Sequence, residues 1–417
     1  MKSYSNYKDS GVKWLGQIPQ HWEVRRGRSL FSLNNQGSTS TTKIGLENIE
    51  GFTGKFIPTE STFEGDGVEV EEGDIVYGKL RPYLCKAWLA TFGCNAVGDF
   101  FVFRCHNKSY NNYLHQVFLS PGFTDICNAS TYGAKMPRVS SSFILSLPFP
   151  LPPLSEQLSI VSYLDVKVSA MDRLVLLTQQ KVEHLKALKQ AIIQEAVTRG
   201  IPNKNHILKQ TNIKWIKQIP QHWEAKSIRS ILKLAKEKAE VDGMQLLSLS
   251  QYTGVTAKAD EDKTGMFRAE STIGYNIVHK GQFVMNIMLA WNGSYAVSSL
   301  DGVISPAYCV FDFIGEVNKQ YINYLFSIAD YQQMFKAYST GLIASRLRLY
   351  PNKFLPLPYH CPPLSEQEEI VAYLDEKTAK IDLLIDKELQ QIEHIKALKQ
   401  TLIADVVTGK VDVTTKR

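Results

Sequence analysis

Six cysteines are spread through 417 residues, and no two of them form a CxxC pair. Cys85, Cys94, Cys105 and Cys127 lie in the first half at positions that the second half, with Cys309 and Cys361, does not repeat. That scatter speaks against a disulfide framework and against a cysteine-built zinc site. No apolar run approaches the length of a membrane span, and the opening MKSYSNYKDSGVKW lacks the apolar stretch of a secretory signal, so the expected location is the cytoplasm with no membrane partner. Catalytic signatures are missing too. There is no GxxxxGK[ST] phosphate loop, because Lys55 in TGKF is followed by Phe56, and no HExxH or GxSxG. Each Pro-Pro follows Leu or Cys, so the Asn-Pro-Pro or Asp-Pro-Pro of an amino-methyltransferase is missing as well. Together these gaps point to a binding protein: no enzyme activity, no cofactor, no metal. A formal charge of +6 suits nucleic acid and many other proteins equally, and decides nothing alone. The chain is long enough, at 44% hydrophobic residues, for two cores.

What the chain does have is a duplication. Gln17-Ile-Pro-Gln-His-Trp-Glu23 recurs letter for letter from Gln218, 201 positions on. PPLSEQ at Pro152 returns at Pro362, and EHLKALKQ at Glu183 returns as EHIKALKQ at Glu393, both 210 positions on. Two copies with a period near half the chain mean a domain duplication, with about nine extra residues in the second copy.

After each Pro-Pro a helix is predicted, with Ser155 or Ser365 as N-cap and a capping box between Ser365 and Glu368 that Leu158 denies the first copy. Val161, Leu164, Val168, Met171, Val175, Thr178, Val182 and Leu185 alternate steps of three and four, and Leu188 and Ile192 continue the row after one irregular step. Val371, Leu374, Thr378, Ile381, Ile385, Glu388, Ile392 and Ile395 repeat it. Gly200 and Gly409 supply the stops. Helices of roughly 44 residues span about 65 Å, too long to pack on a small head, so they should pair with each other. Helix two must run back along helix one, which gives an antiparallel coiled coil with a head at each end and a spacing set by helix length.

The heads read as α/β with short strands: GDIVYGKL from Gly73 and DFFVFRC from Asp99, then GQFVMNIML from Gly281 and AYCVFDF from Ala307. NNYLHQVFLS and QYINYLFSIADYQQMFKAY have helical spacing. The fold class is therefore α+β, with two tandem α/β heads, each followed by a long helix. The expected boundaries are head one at 1–151, helix one at 152–199, a linker at 200–212, head two at 213–361, helix two at 362–409 and a tail at 410–417.

In QIPQHWE a rigid proline precedes a large aromatic, which reads as a strand entry with a Trp anchor, His21 and His222 being satisfied within the fold. Lys79-Leu-Arg81-Pro-Tyr83 places two cations and an aromatic on the turn after a strand, chemistry suited to phosphate contact or guanine reading, though a solvated turn has the same composition. Counted from Gly281, the second head has Ile287, Met288 and Leu289 there and offers Asn286, Trp291 and Asn292 instead. Gly133-Ala-Lys135-Met-Pro-Arg138 and Gly341-Leu-Ile-Ala-Ser-Arg346 share a GxxxxR spacing, with Arg348 as a further cation, and a flexible loop delivering an Arg fits DNA contact as well as a surface salt bridge.

These features in this order, QIPxHW opening each head, GDIxxxKLRP in the first, SPAY from Ser305 in the second, the GxxxxR loop, and PPLSEQ followed by YLD and a long helix, resemble the specificity subunit of type I restriction-modification systems. The likeness covers nearly the whole chain. It implies two target-recognition heads, each reading one half of a bipartite double-stranded DNA sequence. It also implies docking of two methyltransferase subunits and, in the full complex, two restriction subunits, with no active site in the specificity chain. Head two lacks KLRP, so its contacts cannot be copied from head one. On chemistry and placement the candidate DNA-binding residues are Lys79, Arg81, Tyr83, Lys135, Arg138, Asn286, Asn292, Arg346 and Arg348. The competing readings are a homodimeric coiled-coil scaffold and, less well supported by the motifs, a stand-alone DNA methyltransferase.

Overall fold

The computed structural model describes residues 2–133, 135–202, 204, 206–258, 271–341, 343 and 346–414. They fall into two units, Met1–Gln180 with Glu388–Arg417, and Lys181–Lys387.

In the first unit the β-branched and aromatic runs form an antiparallel four-stranded sheet from β1 (Phe31–Asn34), β2 (Ile75–Gly78), β3 (Ala87–Leu89) and β4 (Phe100–Cys105), in the order β1-β4-β2-β3. Alternation along the strands sorts side chains onto two faces. Ile75, Tyr77, Ala87 and Phe103 join the larger core under the helices Asn111–Phe118 and Pro121–Ala129, while Val76, Trp88 and Val102 join a smaller core with Ile44, Val70 and Ala96. Both faces are covered, which is why all four residues of β2 are buried.

The second unit repeats this plan with β5 (Leu232–Leu234), β6 (Phe283–Asn286), β7 (Tyr295–Val297) and β8 (Tyr308–Phe313), in the order β5-β8-β6-β7. Phe283, Met285 and Phe311 face the larger core, and Val284 and Val310 the smaller. The strand registers locate the extra residues of the second copy. Phe31 corresponds to Leu232, 201 positions on, and Ile75 to Phe283, 208 positions on. Seven residues are therefore added between the first two sheet strands. Residues 259–270, within that stretch, lie outside the described residues.

The two repeated motifs meet. Trp22 and Trp223 are fully buried. In the first unit the Trp22 indole Nε1 donates to Glu156 Oε1 at 3.0 Å and His21 pairs with Glu156 Oε2 at 2.8 Å, so the heptapeptide docks on the carboxylate of PPLSEQ. Burial there raises the Tyr4 hydroxyl well above the usual tyrosine range, as does its hydrogen bond to the same carboxylate.

The long helices are Leu154–Arg199 and Leu364–Val407. Their caps differ from the expectation. The amides of Glu156 and Gln157 both close on the Pro153 carbonyl, at 2.9 and 3.0 Å, and Gln367 closes on Pro363 at 3.0 Å. The second proline of each pair is thus the N-cap, and Ser155, Ser365 and Glu368 lie inside the helix. Gln157 and Gln367 reach back to the carbonyls of Pro152 and Pro362 at 2.8 and 2.9 Å, which secures the Pro-Pro entry.

In each unit the helix segments run antiparallel. Ile160 and Leu164 pack with Leu402, Ile403, Val406 and Val407 in the first unit, and Ile193, Ala196 and Val197 pack with Ile370 and Leu374 in the second. A lysine sits on the seam in both: Lys399 meets Asp172 at 2.7 Å, and its repeat equivalent Lys189 meets Asp382 at 2.7 Å. Burial opposes ionisation of Asp172, but the ammonium groups of Lys399 and Lys55 outweigh it and hold the carboxyl below its ordinary range. The expected row fails at Leu188, which is 50% exposed, because Lys189 takes the inward position after the irregular step. No helix among the described residues is long and apolar enough to cross a membrane.

Candidate nucleic-acid interface

In the first unit β2 ends at Gly78, and the chain leaves the sheet at Lys79 into the KLRP turn, a single 3-10 turn over Pro82–Leu84 bounded by Arg81 and Cys85 in the left-handed region (φ 51° and 46°). This backbone is held from several sides. Lys79 donates its amide to Asp99 O at 2.9 Å and accepts from Val139 at 3.1 Å, while the Arg81 amide donates to Pro137 O at 2.8 Å. The Lys86 ammonium donates to the carbonyls of Leu46 and Ile49 at 2.6 and 2.8 Å, and burial lowers its pKa. The Gly133 loop closes against the same turn: Arg138 exchanges both backbone bonds with Tyr132 at 3.0 Å and bridges Leu80. Turn and loop thus form one rim.

Lys79, Arg81, Tyr83, Lys135 and Arg138 are brought together on this rim. Arg138 forks onto Asp99 through Nε and Nη2 at 3.3 and 3.1 Å, which keeps its guanidinium still more firmly protonated. Lys79 shares that carboxylate at 3.8 Å and lies 5.7 Å from the centre of the Phe101 ring. Arg81 and Lys135 are exposed, with no carboxylate partner among the described residues, and Tyr83 is 45% exposed. Neighbouring Tyr132 is 60% exposed. Sequence reasoning passed over Tyr132, though an aromatic immediately ahead of the loop glycine was the available signal. Four cations, one shared carboxylate and two exposed aromatics make a surface suited to phosphates and base edges.

The second unit keeps the frame. Asn286 donates its amide to Ser294 O at 3.0 Å as Gly78 does to Lys86 at 2.8 Å, and Leu349 donates to Ile287 O at 2.8 Å as Val139 does to Lys79. Residue by residue, Lys79 corresponds to Ile287, Arg81 to Leu289 and Tyr83 to Trp291. The shared GxxxxR spacing misaligns the loops, however. Thr340 exchanges both backbone bonds with Arg348, at 2.8 and 2.9 Å, so the counterpart of Arg138 is Arg348 and not Arg346. The loop is two residues longer, and its Leu342, Ala344 and Ser345 lie outside the described residues.

The second set is dispersed differently. Asn286 is buried at 3% exposure and its Oδ1 accepts from the Met288 amide at 3.0 Å, so it supports the turn from beneath and does not reach the surface. Asn292 and Arg346 are exposed, and Arg348 is half-buried with Nη1 donating to Leu347 O at 2.8 Å. Trp291 anchors its indole on Met288 O at 3.0 Å and carries the Lys336 ammonium 5.6 Å from its ring centre. Lys336 was missed because it sits on a helix, Ala329–Tyr338, whose aromatic face drew the eye. The carboxylate of Asp99 is replaced by the methyl of Ala307, one residue before the strand in each head.

Comparison with known proteins gives consistent results. The profile of the type I restriction modification DNA specificity domain matches residues 19–187. The chain is 27% identical over 194 residues to the type I restriction enzyme EcoDI specificity subunit of Escherichia coli, covering 44% of this chain and 43% of that protein. It is 25% identical over 308 residues to the MjaVIII specificity subunit of Methanocaldococcus jannaschii, covering 68% of this chain and 67% of that protein. The alignment to the first of these relatives thus spans under half of its length. Among solved structures, a chain from a study of complex assembly and conformational transition of the type I R-M system superposes with a TM-score of 0.70 at 15% identity, covering 94% of this chain and 99% of that one. The HsdS subunit from Thermoanaerobacter tengcongensis gives 0.50 at 16%, covering 94% and 98%. The duplicated heads, the helices pairing antiparallel within each unit and these likenesses agree: residues 19–187 match the type I restriction modification DNA specificity domain, and the chain as a whole is similar to type I restriction-modification specificity subunits.

Proposed function

We propose that this chain binds double-stranded DNA in the cytoplasm as the specificity subunit of a type I restriction-modification complex, each unit reading one half of a bipartite target. Two methyltransferase subunits dock on the repeated helical surface, two restriction subunits complete the assembly, and the chain itself catalyses no step. The observation that carries this reading is the paired rims: one backbone frame, built twice, presents Arg81, Tyr83, Lys135 and Arg138 in one unit and Asn292, Arg346 and Arg348 beside Trp291 in the other. Conserved framing with exchanged side chains is what independent reading of two different half-sequences requires. The helix segments pair within one chain in each unit, which disfavours the homodimeric scaffold.

The test is to co-express the chain with its cognate methyltransferase subunit and map methylated positions. Arg81→Ala with Tyr83→Ala should relax or weaken one half of the motif, and Asn292→Ala with Arg346→Ala the other. An unchanged motif in both variants would refute the assignment of the rims.

A further inference from the structure

The carboxylate of PPLSEQ has different company in the two copies. In the first unit Glu156 is fully engaged by protein donors, the Tyr4 hydroxyl, His21 and the Trp22 indole. In the second unit the indole of Trp223 finds no acceptor among the described residues, and two imidazoles face the carboxylate of Glu366 instead. His222 Nε2 lies 2.7 Å from Glu366 Oε2, His206 Nε2 lies 3.7 Å from Glu366 Oε1, and the two rings are 5.2 Å apart. One ligand atom from each of the three residues falls within 4.8 Å of the others. His206 Nε2 and Glu366 Oε1 are both shielded from solvent with no hydrogen-bond partner among the described residues, a costly arrangement for a carboxylate oxygen and a ring nitrogen.

We propose that His206, His222 and Glu366 form a binding site for a divalent transition-metal ion, zinc by the chemistry of the set. Two imidazoles and one carboxylate are a recurring zinc donor set, and bonds of roughly 2.0–2.2 Å in tetrahedral array put donor atoms about 3.4 Å apart. The 3.7 Å separation already fits, and the 2.7 Å pair opens by a small turn of His222, whose side chain is 45% exposed. Gly200 makes the approach possible. It ends the first long helix at φ 85°, and a Cβ there would lie 2.9 Å from His206 Nε2 and 3.4 Å from Glu366 Oε1. The three ligands come from the connector after the first long helix, from the heptapeptide and from the first turn of the second long helix. A bound ion would tie all three together and neutralise Glu366. The site is independent of the DNA-binding reading and departs from the expectation of no metal.

The experiment titrates zinc into the tag-free full-length chain by calorimetry, with cobalt absorption as the report on coordination. We expect one saturable site per chain and a rise in melting temperature on zinc addition. His206→Ala and Glu366→Gln should each weaken binding by at least about 10-fold and abolish the thermal shift. His21→Ala, the corresponding change in the first unit, should leave binding intact. Should Glu366→Gln fail to fold, His222→Gln serves in its place, since that ring is partly exposed. Equal zinc binding by wild type and His206→Ala, or no saturable site in wild type, would overturn the proposal and leave a His222–Glu366 ion pair.

Discussion

Asp99 is the fulcrum of the first rim, and removing its charge gives the most informative perturbation. It accepts the Arg138 fork at 3.1 and 3.3 Å and the Lys79 ammonium at 3.8 Å, so one carboxylate offsets part of the charge on Lys79, Arg81, Lys135 and Arg138. Asp99→Asn keeps the shape and adds one net positive charge. If the released cation engages a phosphate, the slope of log affinity against log salt steepens by about 0.9, so raising salt from roughly 50 to 200 mM costs about 3- to 4-fold more affinity than in wild type. Arg138 also loses its orienting partner, so if it contacts a base edge, discrimination there should relax. The second unit supplies the reciprocal test: Ala307→Asp introduces the carboxylate where that head lacks it and should flatten the slope by about 0.9. The assay is anisotropy of a labelled duplex carrying the methylation-defined target, with the chain complexed to its methyltransferase partner, across a salt series. Wild-type slope and wild-type motif in both variants would refute the reasoning.

Burial pushes the imidazoles of His115 and His360 down to about 4, with Lys209 adding to the effect at His360. Between their ordinary value near 6.5 and about 4 the unfolded chain binds protons that the folded chain does not. Their stabilisation is therefore complete above about 6.5 and is lost as pH falls toward 4, by about 2 kcal/mol per histidine between pH 7 and 5. Urea melts should show this, and His115→Gln should make the pH dependence shallower; an identical dependence would count against it. Gly11→Ala and Gly409→Ala both place a side chain at positive φ, 68° and 76°, but a Cβ at Gly409 also runs into Pro19 and Trp22, whereas nothing lies near Gly11. Melting temperature should fall modestly for the first, at a cost of about 1 kcal/mol, and distinctly more for the second; equal falls would show that the Pro19 contact is unimportant. Paired cysteines at Asp172 with Lys399, and at Lys189 with Asp382, should cross-link within one chain at a yield independent of concentration. Efficient linking of Val161→Cys to Val371→Cys, or linking only between chains, would contradict the antiparallel intramolecular pairing.

The parts that sequence reasoning reached are those with strong local periodicity or literal repetition. β2, β4 and β6 fall where β-branched and aromatic runs follow a glycine turn, β8 where such a run follows Ser305-Pro306-Ala307, and the long helices fall where apolar steps of three and four persist. Lys189 and Lys399 were not legible, since a charge on a seam breaks the apolar row and only its partner, 193 or 227 residues away, explains it. The same holds for Glu156, which looked like part of a cap and is the anchor of the heptapeptide. Arg346 and Arg138 matched by spacing because the eye aligns loops without gaps, whereas backbone pairing to Thr340 shows the two-residue insertion. Asn286 read as a surface amide because residue type says nothing of depth at the end of a sheet strand.

The central claim is that two independent heads in one chain specify two halves of one DNA sequence. Its most direct test replaces residues 213–361 with the corresponding segment of a specificity subunit of different target and maps DNA methylation after co-expression with the methyltransferase subunit. The account predicts a bipartite motif in which one half is new and the other is unchanged. A change in both halves, or an unaltered motif, would contradict it.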